Sequence, residues 1–123
     1  MIGKKLFTIE TTKLQSKMKF EYNTLDYIKK IKKGNSYFHT FLDNESLAAG
    51  ILSLNPGEED TQLPHDSDEI YYILEGNGYL KINKKKYKIS SGMSYYVPKN
   101  IEHHFFGNTK QLVVLYFFGG PDS

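Results

Sequence analysis

Two imidazole-bearing stretches and one glutamate are the residues here whose types and spacing could do chemistry. His65-Asp66-Ser67-Asp68-Glu69 runs into Ile70-Tyr71-Tyr72-Ile73-Leu74-Glu75-Gly76, and Gly92 to Pro98 is followed by His103-His104. Imidazole nitrogen and carboxylate oxygen are ligands for a divalent cation. In a straight strand, residues four apart share a face but lie ~13 Å from each other at ~3.3 Å per residue. Metal–ligand bonds are only about 2 Å long. His65 and Glu69 therefore reach one ion only if the chain bends between them, and Asp66-Ser67-Asp68 are turn formers. His65 is expected to end one strand and Glu69 to begin the next. Alternation then puts Glu69, Tyr71 and Ile73 on one face and Ile70, Tyr72 and Leu74 on the other. Beyond Glu69 both faces are apolar, as suits a strand buried on both sides with one face lining a barrel interior. His103 follows a Pro98-Lys99-Asn100 turn, and in extended chain His104 points the opposite way, so only one of the two faces inward.

The elements that must position these groups are short strands. Expected segments are 37–42, 47–54, 70–74, 79–82, 86–89, 94–97, 103–106 and 111–118, separated by turn residues such as Asn55-Pro56-Gly57, Glu75-Gly76-Asn77-Gly78 and Ser90-Ser91-Gly92. Turn signals at this spacing indicate an all-β sandwich or barrel. One helix is expected over residues 24–33, with Thr24 as N-cap, Asp26 in the first turn and Gly34 after the last lysines. Leu25, Ile28 and Ile31 should line its packed side, and Lys29, Lys30, Lys32 and Lys33 its solvated side. Residues 1–22 read as an edge strand, an exchanged arm or disorder, and Met18 is an alternative start.

Composition narrows the chemistry. The 123 residues suit one domain, which divides into an arm and helix over 1–36 and a barrel over 37–123. There is no cysteine, which removes disulfides, thiolate zinc sites and a cysteine nucleophile. No run is long enough to span a membrane as a helix and the start is not signal-like, so a soluble, cytoplasmic protein is expected. All 16 basic residues are lysine, so no guanidinium fork is available for carboxylate or phosphate. The net charge of +2 and the absence of an aromatic-interleaved basic face argue against nucleic acid. Glu58, Glu59, Asp60, Asp66 and Asp68 crowd the region of the candidate ligands. Their neighbourhood favours a cation, although each of them is expected to be a solvated loop acid.

With these motifs in hand, residues 37–120 resemble the cupin family, small double-stranded β-helix barrels. Gly57, His65, Glu69 and Gly76 align with the first family motif; Gly92, Pro98 and His103 align with the second. The resemblance implies a jelly-roll barrel with the short N-terminal helix packed outside. It also implies a divalent transition metal (Fe, Mn, Ni, Co or Zn) bound by His65, Glu69 and His103. Three departures stand out. The first histidine of the family's His-x-His pair is replaced by Leu63, with Gln62 beside it as a possible substitute ligand. The glycine after the motif proline is Asn100, which tolerates φ > 0. The motif asparagine is displaced to Asn108.

Two histidines and one carboxylate leave coordination positions open, which catalysis needs. The expectation is an oxygenase, isomerase or lyase acting on a small polar molecule. Tyr71, with Tyr95 or Tyr96, is a candidate to line the pocket, and His39 to reach it from the first strand. Tyrosine is more often core or rim than catalytic. Two rivals are a non-catalytic small-molecule or metal-binding module, and a metal-free sugar epimerase or ketoisomerase with His65 or His103 as base. The family also implies a homodimer, with the aromatic 112–118 strand supplying apolar surface.

Overall fold

The structure, a computed structural model, describes residues 18–34 and 37–121. The expected arm falls largely on residues 1–17, outside the described residues. The segment 18–23 belongs to no helix or strand.

Helix α1 (Thr24–Lys33) precedes eight strands: β1 (Phe38–Asp43), β2 (Ala48–Leu54), β3 (Glu69–Glu75), β4 (Tyr79–Ile82), β5 (Lys85–Lys88), β6 (Ser94–Val97), β7 (His103–Phe106) and β8 (Leu112–Phe118). They form two antiparallel sheets, β1-β2-β8-β3-β6 and β5-β4-β7, the arrangement of a double-stranded β-helix jelly roll. Inward residues of the large sheet are Leu52 and Leu54 on β2, Tyr71 and Ile73 on β3, and Val114, Tyr116 and Phe118 on β8. They meet Leu80 of β4 and Phe105 of β7 in one core. The division of β3 into two faces is as expected, but the strand is not buried on both sides: Glu69, Tyr71 and Ile73 are buried, whereas Ile70 and Tyr72 on the outer face are exposed.

α1 covers part of the large sheet's outer face. Ile31 packs with Ile51 and Val113, joined by Tyr27, Ile28, Phe41, Leu74 and Leu115. Two local expectations are corrected. The N-cap is Asn23, not Thr24, because the Asn23 side-chain oxygen accepts from the Asp26 N–H. Leu25 is exposed, since Tyr27 occupies the packed side instead.

A third correction bears on the site. The expected strand ending at His65 is not formed: residues 55–68, directly before Glu69, are a loop without regular structure, and His65 sits on it. The loop is held by its contacts with the β6–β7 turn. Asn100 N–H donates to the His65 carbonyl at 2.7 Å, and Lys99 N–H to the Asp68 carboxylate at 3.0 Å. Asn100 adopts φ 63°, the left-handed conformation that suits the residue standing where the motif has glycine.

Candidate metal centre

Glu69 opens β3 and points inward. His103 opens β7, at the open edge of the small sheet, and also points inward. His104 faces away, its ring 5.4 Å from that of Phe106. Docking of the 55–68 loop on the β6–β7 turn brings His65 over this pair, its ring packed edge-on against Phe118 at 4.7 Å. One ligand atom from each of His65, Glu69 and His103 lies within 4.8 Å of the others.

The pairwise geometry is informative. His103 Nε2 is 3.3 Å and His65 Nε2 3.9 Å from Glu69 Oε1. Two ligands on an ion with ~2.1 Å bonds sit roughly 3.0–3.4 Å apart at right to tetrahedral angles. Glu69 and His103 are at that spacing, and His65, 3.9 Å from Glu69, has to move inward to join them. His103 Nδ1 lies 2.8 Å from the Ile101 carbonyl, which can only accept, so Nδ1 carries the proton and donates. In the neutral ring, Nε2 then turns a lone pair toward the Glu69 carboxylate. Glu69 Oε1 and His103 Nε2 are, among the described residues, the buried side-chain polar atoms that lack an aligned hydrogen bond. Two acceptors facing each other at 2 % exposure are costly unless a cation or a proton lies between them. The donor set fits a divalent transition metal.

In the metal-free protein a proton on His103 Nε2 would meet the same need. Burial opposes charging of His103, but the Glu69 carboxylate, the Ile101 carbonyl and Asp60 outweigh it and raise its pKa above the usual 6.5.

A cavity of about 210 Å³ opens onto the site. Gln62, His65 and Glu69 form its polar end; Leu52, Phe118 and the rings of Tyr37 and Tyr116 form its walls. Tyr116 lies across Gly50, where any Cβ would collide with the phenol. The Tyr116 hydroxyl shares a 2.6 Å hydrogen bond with Thr40.

The other candidates are placed as follows. Gln62 reaches the site: its Oε1 lies 2.9 Å from the Tyr71 hydroxyl, which donates to it, and 3.1 Å from His65 Nε2. Tyr71 is fully buried behind Gln62 and does not line the cavity. Burial, with Glu69 and Asp60 nearby, holds its phenol well above the usual range, so it stays a donor. His39 points to the outer face of β1, its ring 5.2 Å from Tyr27, and does not reach the site. The Tyr95 hydroxyl donates to the Lys88 carbonyl, and Tyr96 is exposed on the outer face. Tyr37 and Tyr116, which line the cavity, were not singled out from the sequence. The inward alternation of β8 carried the signal for Tyr116.

Asp60 is the second omission and a correction. It is not a solvated loop acid but is only 8 % exposed. It accepts from Phe105 N–H at 2.8 Å, from Gln62 Nε2 at 2.8 Å and from Gln62 N–H at 3.3 Å.

Fold and site together define a small jelly-roll barrel with an interior His/His/Glu group. Residues 50–118 match the cupin-domain family model, and the chain belongs to the cupin family. An uncharacterised protein of Streptomyces coelicolor is 30% identical over 83 residues, 68% of this chain and 79% of that one. Among solved structures, an RmlC-like cupin with a double-stranded β-helix fold from Methanocaldococcus jannaschii aligns with TM-score 0.66 and 15% identity, covering 85% of this chain and 92% of that one. The DMSP lyase DddQ from Ruegeria pomeroyi aligns with TM-score 0.63 and 19% identity, covering 68% of this chain and 46% of that one. Among the described residues no helix is long and apolar enough to cross a membrane.

Proposed function

We propose that this cupin is a metal-dependent enzyme, of the lyase, isomerase or oxygenase type, acting on a small polar molecule at a cation held by His65, Glu69 and His103. The observation that carries the reading is the buried pair Glu69 Oε1 and His103 Nε2, turned toward each other without a hydrogen bond beside an open cavity. A divalent metal bound there supplies Lewis-acid polarisation of a substrate oxygen, or redox chemistry where the ion is iron or manganese.

The chain's own groups restrict the substrate. The cavity, about 210 Å³, suits a small metabolite. Its walls are aromatic and aliphatic, and no lysine lines it, so substrate charge is met only at the polar end. The substrate that fits has an oxygen-rich head at His65 and Glu69 and a short apolar body against Leu52 and Phe118. Elemental analysis of untagged protein purified without chelator, followed by product detection by mass spectrometry, tests the reading. Failure to take up any divalent metal on reconstitution rejects it. Metal and ligand bound without product would favour the non-catalytic module.

Metal uptake should be pH-dependent. Because the His103 pKa is raised, a proton on Nε2 competes with the cation over a range that extends above pH 6.5. Affinity is expected to fall as pH drops through that raised value, beginning above 6.5. Stability of the metal-free protein should run the other way. The contribution from charged His103 is fully present below pH 6.5 and is lost as pH rises through the folded-state value. Competition titrations and thermal melts between pH 5.5 and 8.5, taken as roughly the span of His titration, read both.

We also propose a homodimer, formed not through β8 as a whole, whose Val113 and Leu115 lie under α1, but beyond the helix. There Ile70 is the cross-strand neighbour of both Phe117 and Tyr96, and all three are exposed. Such an uncharged contiguous patch matches itself across a two-fold axis. Sedimentation equilibrium should show a dimer that Ile70→Lys converts to monomer. A monomeric parent protein would exclude it.

A further inference from the structure

We propose that Asp60 locks the side-chain amide of Gln62 so that its carbonyl oxygen serves as a fourth donor to the cation at His65, Glu69 and His103. The inference rests on the metal-binding reading above and adds to it how the site makes up for the histidine that Leu63 replaces.

The lock follows from donor and acceptor chemistry. A carboxylate only accepts, so the end of the Gln62 amide that lies 2.8 Å from Asp60 Oδ2 is the nitrogen. The oxygen is thereby turned the other way, toward Tyr71 and His65. The same carboxylate also binds the Gln62 backbone N–H and the Phe105 N–H of β7, two residues beyond His103. One buried acid thus ties the site loop, the amide plane and the strand carrying His103 together. A carbonyl oxygen has two acceptor positions. The Tyr71 hydroxyl takes one at 2.9 Å, and the other lies on the side of His65 Nε2, 3.1 Å away. That is about the separation of neighbouring donors on an ion with ~2.1 Å bonds. Without Asp60 the amide could turn its NH₂ toward the cation, which would repel it.

Cobalt(II) is the probe, because its visible spectrum reports the donor set and its affinity is read independently by chelator competition. In the parent protein Co(II) should bind. Gln62→Ala and Asp60→Asn should each weaken it by about 10–100-fold, the range seen when a ligand-orienting partner is lost, and should shift the spectrum. In the double variant Asp60→Asn with Gln62→Ala, the change at Asp60 should add little to the loss already caused by Gln62→Ala, because Asp60 acts on the cation through the Gln62 amide. An unchanged spectrum and affinity in Gln62→Ala overturns the proposal even where Asp60→Asn fails to fold. So does a folded Asp60→Asn whose loss adds in full to that of Gln62→Ala in the double variant, which would leave Asp60 as a structural tie to β7. No Co(II) binding by the parent protein would instead sink the metal reading, before any variant is made.

Discussion

Replacing His103 with alanine is expected to lower metal affinity by more than about 100-fold, beyond what loss of an orienting partner causes. Three features of this side chain set it apart. It is nearly inaccessible, its Nδ1 is committed to the Ile101 carbonyl, and its Nε2 stands 3.3 Å from Glu69 Oε1. No other described group can take its place, because His104 projects from the opposite face of β7. The readout need not be activity. A cation present at about 100 times its dissociation constant stabilises the parent by about 2.7 kcal/mol. In a domain of this size that raises the melting temperature by roughly 10–20 °C. His103→Ala should show no such rise while retaining a cooperative metal-free melt. A metal-dependent rise of the same size in the variant would remove His103 from the ligand set. The His65→Ala variant should show a smaller loss, since His65 is more exposed and starts 3.9 Å from Glu69.

The largest effect on stability is expected at Phe105. Its ring is 1 % exposed on the inner face of β7 and packs edge-on against Tyr71 at 4.8 Å. Tyr71 in turn donates to Gln62 and lies 5.9 Å from the His103 ring. Truncating a buried phenylalanine to alanine costs about 3–5 kcal/mol, by lost transfer energy and by the cavity left behind. That is a large share of the roughly 5–15 kcal/mol a domain possesses. Phe106→Ala, one residue on and facing outward against Tyr79, should cost much less. Urea unfolding with unchanged m-values would measure both. Equal losses at the two positions would contradict the inward orientation of Phe105. Because Tyr71 loses the surface that supports it, Phe105→Ala should also loosen the Gln62 contact and weaken metal uptake, though less than His103→Ala.

Much of the fold is legible along the chain because it is local. The period-two pattern of Glu69 to Leu74 assigned its inner and outer faces correctly, and the helix spans Thr24–Lys33 as its lysine-rich end and Gly34 indicated. The misassigned cap is a one-residue ambiguity: Asn23 and Thr24 are both capping residues, and only the reach of Asn23 Oδ1 to Asp26 N–H separates them. The missing strand before Glu69 has a different origin. The 55–68 segment satisfies its backbone partly through the neighbouring turn, as the 2.7 Å bond from Asn100 to His65 shows, and no periodicity records such a contact.

The sequence by itself determined which side chains are available as ligands, the strand alternation that turns Glu69 inward and the family to which the chain belongs, because residue type and short spacing carry those. Only the tertiary structure decided that His39 turns to the helix and that Asp60 is buried against Gln62. These depend on partners far away in sequence. One of the donors that hold Asp60 is the N–H of Phe105, 45 residues on. A carboxylate's solvation is set by what folds over it, and for Asp60 that includes β7, far along the chain.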